Sequence, residues 1–262
     1  MERAQSARDV KLIVNADDFG YTPGVSSGIV RAHHTGIVTA TTFMVNAPDT
    51  DGAARLARQL PSLDVGVHLV LTYGRPLTEA TRISSLVGAG GAFLRVSELL
   101  RTGRPRADEA LVEYHAQYAR AKELIGREPS HIDTHHWVHD LPALEDAMLA
   151  LARETGAVAR AHDGRQRARF RDAGVRTTDR FVREFQHDGA IHVEALLDLL
   201  ERLADEGGIA ELMCHPGEPD EALLSGSTYA RERGRELETL TDPLVRDATR
   251  RLGIELATYA DV

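Results

Sequence analysis

Short apolar runs alternate with amphipathic segments along the whole chain, and this alternation restricts the fold more than any other feature. The first run, residues 12–14, is followed by Gly20, and a helical pattern then spans residues 24–36. Repeated strand–helix units of this kind predict right-handed crossovers and a parallel sheet. Further strands are predicted at residues 38–45, 64–71, 131–134, 157–160, 209–213 and 254–257, and further helices at residues 49–60, 96–101, 107–124, 141–156, 193–206, 229–240 and 242–252.

Two segments interrupt this regular pattern. Residues 72–106 are rich in glycine, proline and serine, and with the helix that follows they predict a long loop and helix excursion at about residues 72–130. Residues 161–189 show no clear pattern and are left unassigned. Because no repeat or linker divides the sequence, we expect residues 1–262 to form a single domain, a length that α/β barrels commonly have.

Composition and charge argue against several classes of protein. With a net charge of −9 and a pI near 5.7, the chain is not expected to bind nucleic acid or an anionic membrane. Cys214 is the only cysteine, so neither an intramolecular disulfide nor a cysteine metal cluster is available. Residues 1–9 are polar and lack the apolar region of a signal peptide, and no stretch approaches the ~20 apolar residues of a spanning helix. We therefore expect a soluble, cytoplasmic protein.

Aspartate or histidine stands at or near the end of four predicted strands. Asp17 and Asp18 follow the first strand, His68 and His215 belong to two others, and residues 131–139 contain four histidines. Each feature alone has a plain explanation, a turn for the aspartates and core packing for a single histidine. Together at strand ends, where α/β folds place their chemistry, they predict one site for a divalent ion. Adjacent carboxylates there repel each other unless a cation or a shared proton compensates.

Strand ends that converge on one metal ion favour a closed or nearly closed barrel over an open sheet. The predicted fold class is therefore α/β, and the predicted architecture is a distorted TIM-like (β/α) barrel. An open doubly wound sheet is the alternative, but no Gly-x-Gly-x-x-Gly motif follows the first strand.

Four sequence blocks resemble the signature blocks of a known family. They are Asn15-Ala-Asp-Asp-Phe-Gly20, Gly66-Val-His68-Leu, His131-Ile-Asp-Thr-His135-His and Met213-Cys-His215-Pro-Gly217. From about residue 12 to residue 262, their order and rough spacing are similar to those of the YdjC-like carbohydrate deacetylases. This resemblance implies a distorted (β/α) barrel with a divalent metal ion. It also implies a hydrolase that removes an N-acetyl group from an amino sugar or chitooligosaccharide, such as diacetylchitobiose, by attack of a metal-activated water.

The resemblance further implies roles for individual residues. Asp17 would be the base that activates the water, and His215 would be the acid or would stabilise the oxyanion. Arg160 would complete this catalytic group by orienting Asp17, the alternative being an ordinary surface arginine. The implied metal ligands are Asp18, His68 and His135.

Three further features are candidates for supporting roles. The family often has a third consecutive histidine where this chain has Trp137, which could offer a flat face to a sugar ring or could be a core residue. Asp133 is the nearest candidate to hold a ligand imidazole, but strand alternation predicts that its side chain points away from the site. His139 is a weaker candidate for a direct role. The segment 72–106 is expected to cover the metal ion, from this chain or a neighbouring subunit, and to select the substrate.

The predicted cofactor is one divalent metal ion. One carboxylate and two imidazoles suit zinc, while magnesium, manganese, cobalt and nickel are further candidates. The predicted partner is an N-acetylated sugar, with no nucleic acid and no membrane, and a homodimer is left open.

Two alternative functions keep the metal ion and change the activity. A sugar-phosphate epimerase, isomerase or aldolase would need a phosphate site after a late strand, whereas Gly207 and Gly208 precede one. A metal- or sugar-binding module without turnover would need the ligands but not Asp17 and His215. Both alternatives are therefore weaker than the deacetylase.

Overall fold

The core of the protein is a parallel sheet flanked by helices. This computed structural model describes residues 10–102, 104–186 and 189–262. The strands are β1 (Val10–Phe19), β2 (Ala40–Phe43), β3 (Asp64–Leu69), β4 (His131–Thr134), β5 (Val158–Ala159), β6 (Arg180–Val182), β7 (Gly208–Cys214) and β8 (Ile254–Leu256). The helices are α1 (Pro23–Thr35), α2 (Thr50–Gln59), α3 (Val96–Thr102), α4 (Ala107–Ile125), α5 (Pro142–Thr155), α6 (Gly164–Asp172), α7 (Val193–Glu206), α8 (Glu221–Gly226), α9 (Arg231–Leu240) and α10 (Pro243–Arg251).

The order of the strands is that of a distorted barrel. The sheet runs β5-β4-β3-β2-β1-β7-β6, and β8 pairs with the beginning of β1. Every pairing is parallel. β5 and β6 are the edge strands of this order. The backbone N–H of Ala159 in β5 donates to Arg176 O at 3.0 Å, so the segment that leads to β6 lies against β5. The predicted α/β class and distorted (β/α) barrel are confirmed.

Most predicted elements are present, and the differences have local causes. β1 runs on to Phe19, so Asp17 and Asp18 lie inside the strand and not after it. The unassigned segment 161–189 contains α6 and β6, which were missed because α6 is highly charged and buries only Gln166 and Phe170. The expectation of a polar start without a signal peptide concerns residues 1–9, which lie outside the described residues. Within the described ranges, no helix is both long and apolar enough to cross a membrane.

The excursion after β3 is fastened to one face of α4. Gln117 pairs with the backbone of Val70 through both of its amide atoms, at 2.8 and 2.7 Å. One turn earlier, Glu113 accepts the backbone N–H groups of Leu77 and Thr78 at 3.0 and 2.9 Å. Residues four apart share a helix face, so these side chains form a buried row facing the loop. Glu109, at the next position of that row, accepts the backbone N–H of Ser85 at 2.7 Å.

Candidate metal centre

The end of β1 is bent, and the bend lets two consecutive aspartates reach the same cleft. Asp18 has a φ of 71°, a left-handed conformation that aspartate tolerates better than most residues. The register between β1 and β2 shifts between Ala16 and Phe19. In a regular strand neighbouring side chains point to opposite faces, and an irregularity of this kind re-aims one of them. Asp17 and Asp18 therefore both line the cleft, and both are buried.

Asp18, His68 and His135 bring three ligand atoms together. Asp18 Oδ1 lies 3.2 Å from His68 Nε2 and 3.0 Å from His135 Nδ1, and the two ring nitrogens are 3.2 Å apart. Metal–ligand bonds of about 2.0–2.2 Å place neighbouring ligand atoms roughly 3.0–3.4 Å apart. Asp18 Oδ1 is buried and has no hydrogen-bond donor among the described residues, so the lone pairs it directs at this point are available. The three residues thus fit a divalent ion.

Asp133 fixes the orientation of the His68 ring. His68 Nδ1 lies 2.6 Å from Asp133 Oδ1, an arrangement in which Nδ1–H donates to the carboxylate and Nε2 keeps its lone pair. The expectation that Asp133 points away was wrong, because Asp133 is opposite His68 in the register of β3 and β4, and paired residues of neighbouring strands share a face. Although burial opposes it, Asp133 and Asp18 raise the pKa of His68 to about 10. The surrounding carboxylates therefore favour positive charge at this position.

Arg160 binds Asp17 with both terminal nitrogens. Its Nη1 and Nη2 donate to Asp17 Oδ2 and Oδ1, each at 2.8 Å. Arg160 is 1% exposed, so the alternative of a surface arginine is wrong. Burial opposes ionisation of Asp17, but the Arg160 guanidinium outweighs it and holds the pKa of that carboxyl well below its usual range. Asp17 is therefore an ionised carboxylate of fixed orientation.

His215 lies across the cleft from these groups. Its Nε2 is 4.0 Å from Asp17 Oδ2. Burial, and then the positive charge of Arg233, lower the pKa of His215 to about 4, so the ring is neutral at pH 7. A neutral imidazole has one N–H to donate and one nitrogen that accepts. Its backbone N–H donates to Glu236, which anchors the segment after β7 to α9.

The cleft above these residues has a volume of about 660 Å³, a size typical of small-molecule sites. Trp137 lines one wall, is half-buried, and has the Arg183 guanidinium 4.9 Å from its ring centre. His136 and Trp137 both have positive φ, at 59° and 55°, so a strained turn follows β4. Tyr73, from the beginning of the excursion, contacts the His135 ring at 6.4 Å between centroids.

Two charged residues of the site were missed from the sequence. Arg233 Nη2 donates to Asp18 Oδ2 at 2.5 Å, which leaves Oδ1 facing the two histidines. Glu211 accepts from Arg160 Nε at 2.5 Å. Glu211 could have been found, because it is a charged residue inside the otherwise uncharged strand β7, where a buried charge needs a partner. No sequence pattern links Arg233 to the strand ends, since it comes from the distant helix α9.

Within the described part of the chain, two other groups of residues combine side chains that could bind a metal ion. Asp17, His68 and Asp133 form one of them. Arg160 already supplies a positive charge to its two carboxylates, at 2.8 and 2.6 Å, so this group fits an ion less well. The other comprises His139, Asp140 and His162, and it shares no residue with the first centre.

Comparison with known proteins places this site in a family. The model of the YdjC-like protein family matches residues 11–251. A carbohydrate deacetylase from Geobacillus stearothermophilus is 40% identical over 249 residues, covering 95% of this chain and 96% of the relative. A chitooligosaccharide deacetylase from Yersinia enterocolitica is 37% identical over 254 residues, covering 95% and 98%. A solved structure from Enterococcus faecalis, named for a proposed role in cellobiose-phosphate cleavage, has a TM-score of 0.89 at 37% identity and covers 97% and 98%. The chain therefore belongs to the YdjC-like protein family, as its sequence blocks predicted.

Proposed function

We propose that the protein is a metal-dependent hydrolase that removes an N-acetyl group from an amino sugar or chitooligosaccharide. The convergence of Asp18, His68 and His135 within about 3 Å of one another, beside an ionised Asp17, is the observation that carries this proposal. The names of its relatives, carbohydrate deacetylase and chitooligosaccharide deacetylase, support the same activity.

The proposed roles follow from where each side chain lies. Asp18, His68 and His135 hold the ion, which when bound polarises an amide carbonyl and makes a water molecule more acidic. Asp17 accepts the proton of the attacking water, since Arg160 keeps it ionised and aimed into the cleft.

His215 acts on the opposite side of the acetyl group from Asp17. Because its ring is neutral at rest, its N–H can stabilise the tetrahedral oxyanion by a hydrogen bond. Protonation of the leaving amine is the alternative role. Comparing His215→Ala on an N-acetyl and an O-acetyl sugar separates the two, since an alkoxide needs less help to leave than an amide nitrogen.

We propose zinc or magnesium as the ion. Two imidazole ligands favour zinc, whereas magnesium prefers oxygen ligands and retains several waters. A set of one carboxylate and two imidazoles also admits manganese, cobalt and nickel.

We further propose that residues 1–262 act as one barrel domain with its excursion at about residues 72–130. Tyr73 and Val96 of this excursion line the cleft, which supports a role in choosing the sugar. Trp137, on the other wall, is proposed as a platform for the pyranose ring. A cytoplasmic location remains part of the proposal, and a homodimer is left open.

A screen for acetate release tests the activity. Purified protein is incubated with N-acetylglucosamine, N,N′-diacetylchitobiose, longer chitooligosaccharides and phosphorylated forms of these sugars, each with and without a chelator. We expect release from at least one sugar, abolished by the chelator and restored by one of the candidate ions. Metal-loaded protein that binds these sugars without releasing acetate would support the non-catalytic module instead. Isomerised or cleaved sugar phosphates without acetate would support the epimerase or aldolase.

A further inference from the structure

A second group of metal-ligating side chains lies behind the wall of the cleft. His139 and Asp140 end the turn that follows β4, and His162 follows β5. One ligand atom from each residue can be chosen so that all three lie within 4.8 Å of one another. The rings of His139 and His162 are 4.0 Å apart between centroids. Trp137, which lines the cleft, contacts the His162 ring at 5.5 Å, so the group is next to the active site but separate from it.

Both rings have a buried nitrogen with no hydrogen-bond partner. His139 is fully buried, and its Nδ1 pairs with Thr134 Oγ1 at 2.6 Å. The His162 side chain is 5% exposed, and its Nδ1 lies 2.8 Å from Asp140 Oδ1. Among the described residues, neither His139 Nε2 nor His162 Nε2 has a partner. Buried polar atoms are nearly always paired, so two unpaired nitrogens on touching rings indicate a shared ligand.

The hydrogen bond between His162 and Asp140 also favours metal binding at the other ring nitrogen of His162. Asp140 accepts the proton of His162 Nδ1, which leaves the lone pair on Nε2. A carboxylate that holds the far nitrogen of an imidazole is the usual support of a metal-binding histidine.

We propose that His139 Nε2 and His162 Nε2 bind a second divalent transition-metal ion, with Asp140 holding the His162 ring. Imidazole nitrogens select zinc, copper, nickel or cobalt over magnesium. The proposed site has two imidazole ligands and no carboxylate ligand, and the supporting Asp140 is 54% exposed. The second ion is therefore expected to bind more weakly and to exchange more readily than the first.

The ion would have a structural effect on the cleft. It would link the turn 135–140, which carries His135 and the strained Trp137, to the segment after β5. Because one ligand lies in the turn and the other in the segment after β5, the ion would stabilise the strained backbone conformation at Trp137. Zinc at the second site should therefore raise the melting temperature beyond the effect of the first ion, because a ligand that binds only the folded state stabilises it.

Metal titration of the whole protein tests this proposal. Equilibrium dialysis against Co²⁺ or Zn²⁺, with elemental analysis and the Co²⁺ absorption spectrum, should give two ions per chain. His162→Gln should retain one ion, and so should His68→Ala, while the double variant should retain none. Asp140→Asn should weaken only the second ion, by about 10–100-fold. Mg²⁺ should not fill the second site.

His34→Gln is the matched control, because His34 is exposed and lies on the distant helix α1. It should keep both ions, and circular dichroism should show that every variant remains folded. A wild-type protein that takes up only one ion at saturation would overturn the proposal. So would a His162→Gln protein that still binds two, or a second ion that the His34 control loses equally. None of these outcomes depends on the deacetylase activity.

Discussion

Two regions of the molecule use buried charged groups, but they attach them to different partners. At the strand ends, the Arg160 guanidinium binds the side chains of Asp17, Asp133 and Glu211, which belong to β1, β4 and β7. On α4, Glu113 and Glu109 bind backbone N–H groups of the excursion. The first network fixes reactive groups relative to one another, while the second fixes the path of a loop.

The two networks are therefore expected to control different properties of the protein. A change at the strand ends should remove metal or turnover and leave the loop in place. A change on α4 should leave the metal centre intact and alter how the sugar is held. If the two networks are independent, variants of one should leave the properties set by the other unchanged.

His68→Ala and His135→Ala should each lose the ion of the first centre. Each substitution removes one of the three proposed ligands, whose atoms lie about 3 Å apart, so metal content and acetate release should fall together. Elemental analysis after dialysis measures the loss. His115→Ala is the control, since that side chain is 45% exposed and pairs with Glu154 on the surface. Full metal content in both variants would remove these residues from the centre.

Asp17→Asn should keep the ion and lose turnover. The amide cannot take a proton, and general-base catalysis contributes on the order of 10²–10⁴-fold. Asp172→Asn, at an exposed position of α6, is the matched control and should be fully active. Activity close to normal would mean that another group takes the proton, whereas loss of the metal with the activity would make Asp17 a ligand.

The strand-end network could be predicted from the sequence to a large extent, because its members belong to strands. Spacing alone places His68, His135 and His215 at or next to strand ends, but strand alternation gave the wrong direction for Asp133, which only the register of β4 against β3 places beside His68. Arg233 could not be found in this way, because a helix about 215 residues along the chain brings it to Asp18.

The α4 network was not predictable, for a physical reason. Glu113 and Gln117 bind backbone atoms, and backbone groups are the same at every residue, so no sequence pattern identifies their partners. The segment 161–189 was missed for a related reason, since α6 is held mainly by polar contacts of Gln166 and its neighbours rather than by an apolar face.

Glu113→Gln should lower stability and leave metal content unchanged. The neutral amide has one acceptor where the carboxylate has two, so the N–H of Leu77 or Thr78 loses its partner, at a cost of about 1–3 kcal/mol. Chemical denaturation measures this cost. Glu123→Gln, on the exposed side of α4, is the control and should stay within ±0.5 kcal/mol. If Glu113→Gln lost the ion, the two regions would not be independent.

Trp137→Ala should weaken sugar binding by about tenfold, equivalent to roughly 1.4 kcal/mol, because an aromatic platform offers a large contact area. The side chain is half-buried and lines the cleft, so the cost in stability should be smaller than the about 3–5 kcal/mol of a core tryptophan. Sugar titration and thermal melting measure the two quantities, and Trp137→Phe should restore most of the binding. A large stability loss with unchanged binding would assign Trp137 to the core.

Shortening the turn at residues 88–91 should change substrate preference. This turn is closed by the Gly88 N–H, which donates to Ala92 O at 2.9 Å, and by a bridge between Val87 and Phe93. The Phe93 N–H in turn donates to Gly74 O at 3.1 Å. A deletion would therefore move the backbone next to Tyr73, which lines the cleft.

The expected result is a change on the order of tenfold in the ratio of kcat/KM between two N-acetylated sugars, the range of a modest change in pocket shape. Metal content should not change, because the ligands of the first centre come from the strand ends. Gly90→Ala is the matched control, since its φ is not positive and an added Cβ would meet nothing within 4 Å. It should leave the ratio unaltered. If the deletion preserved the preference as well as the control does, substrate choice would not depend on this turn, and the wall formed by Trp137 would become the remaining candidate.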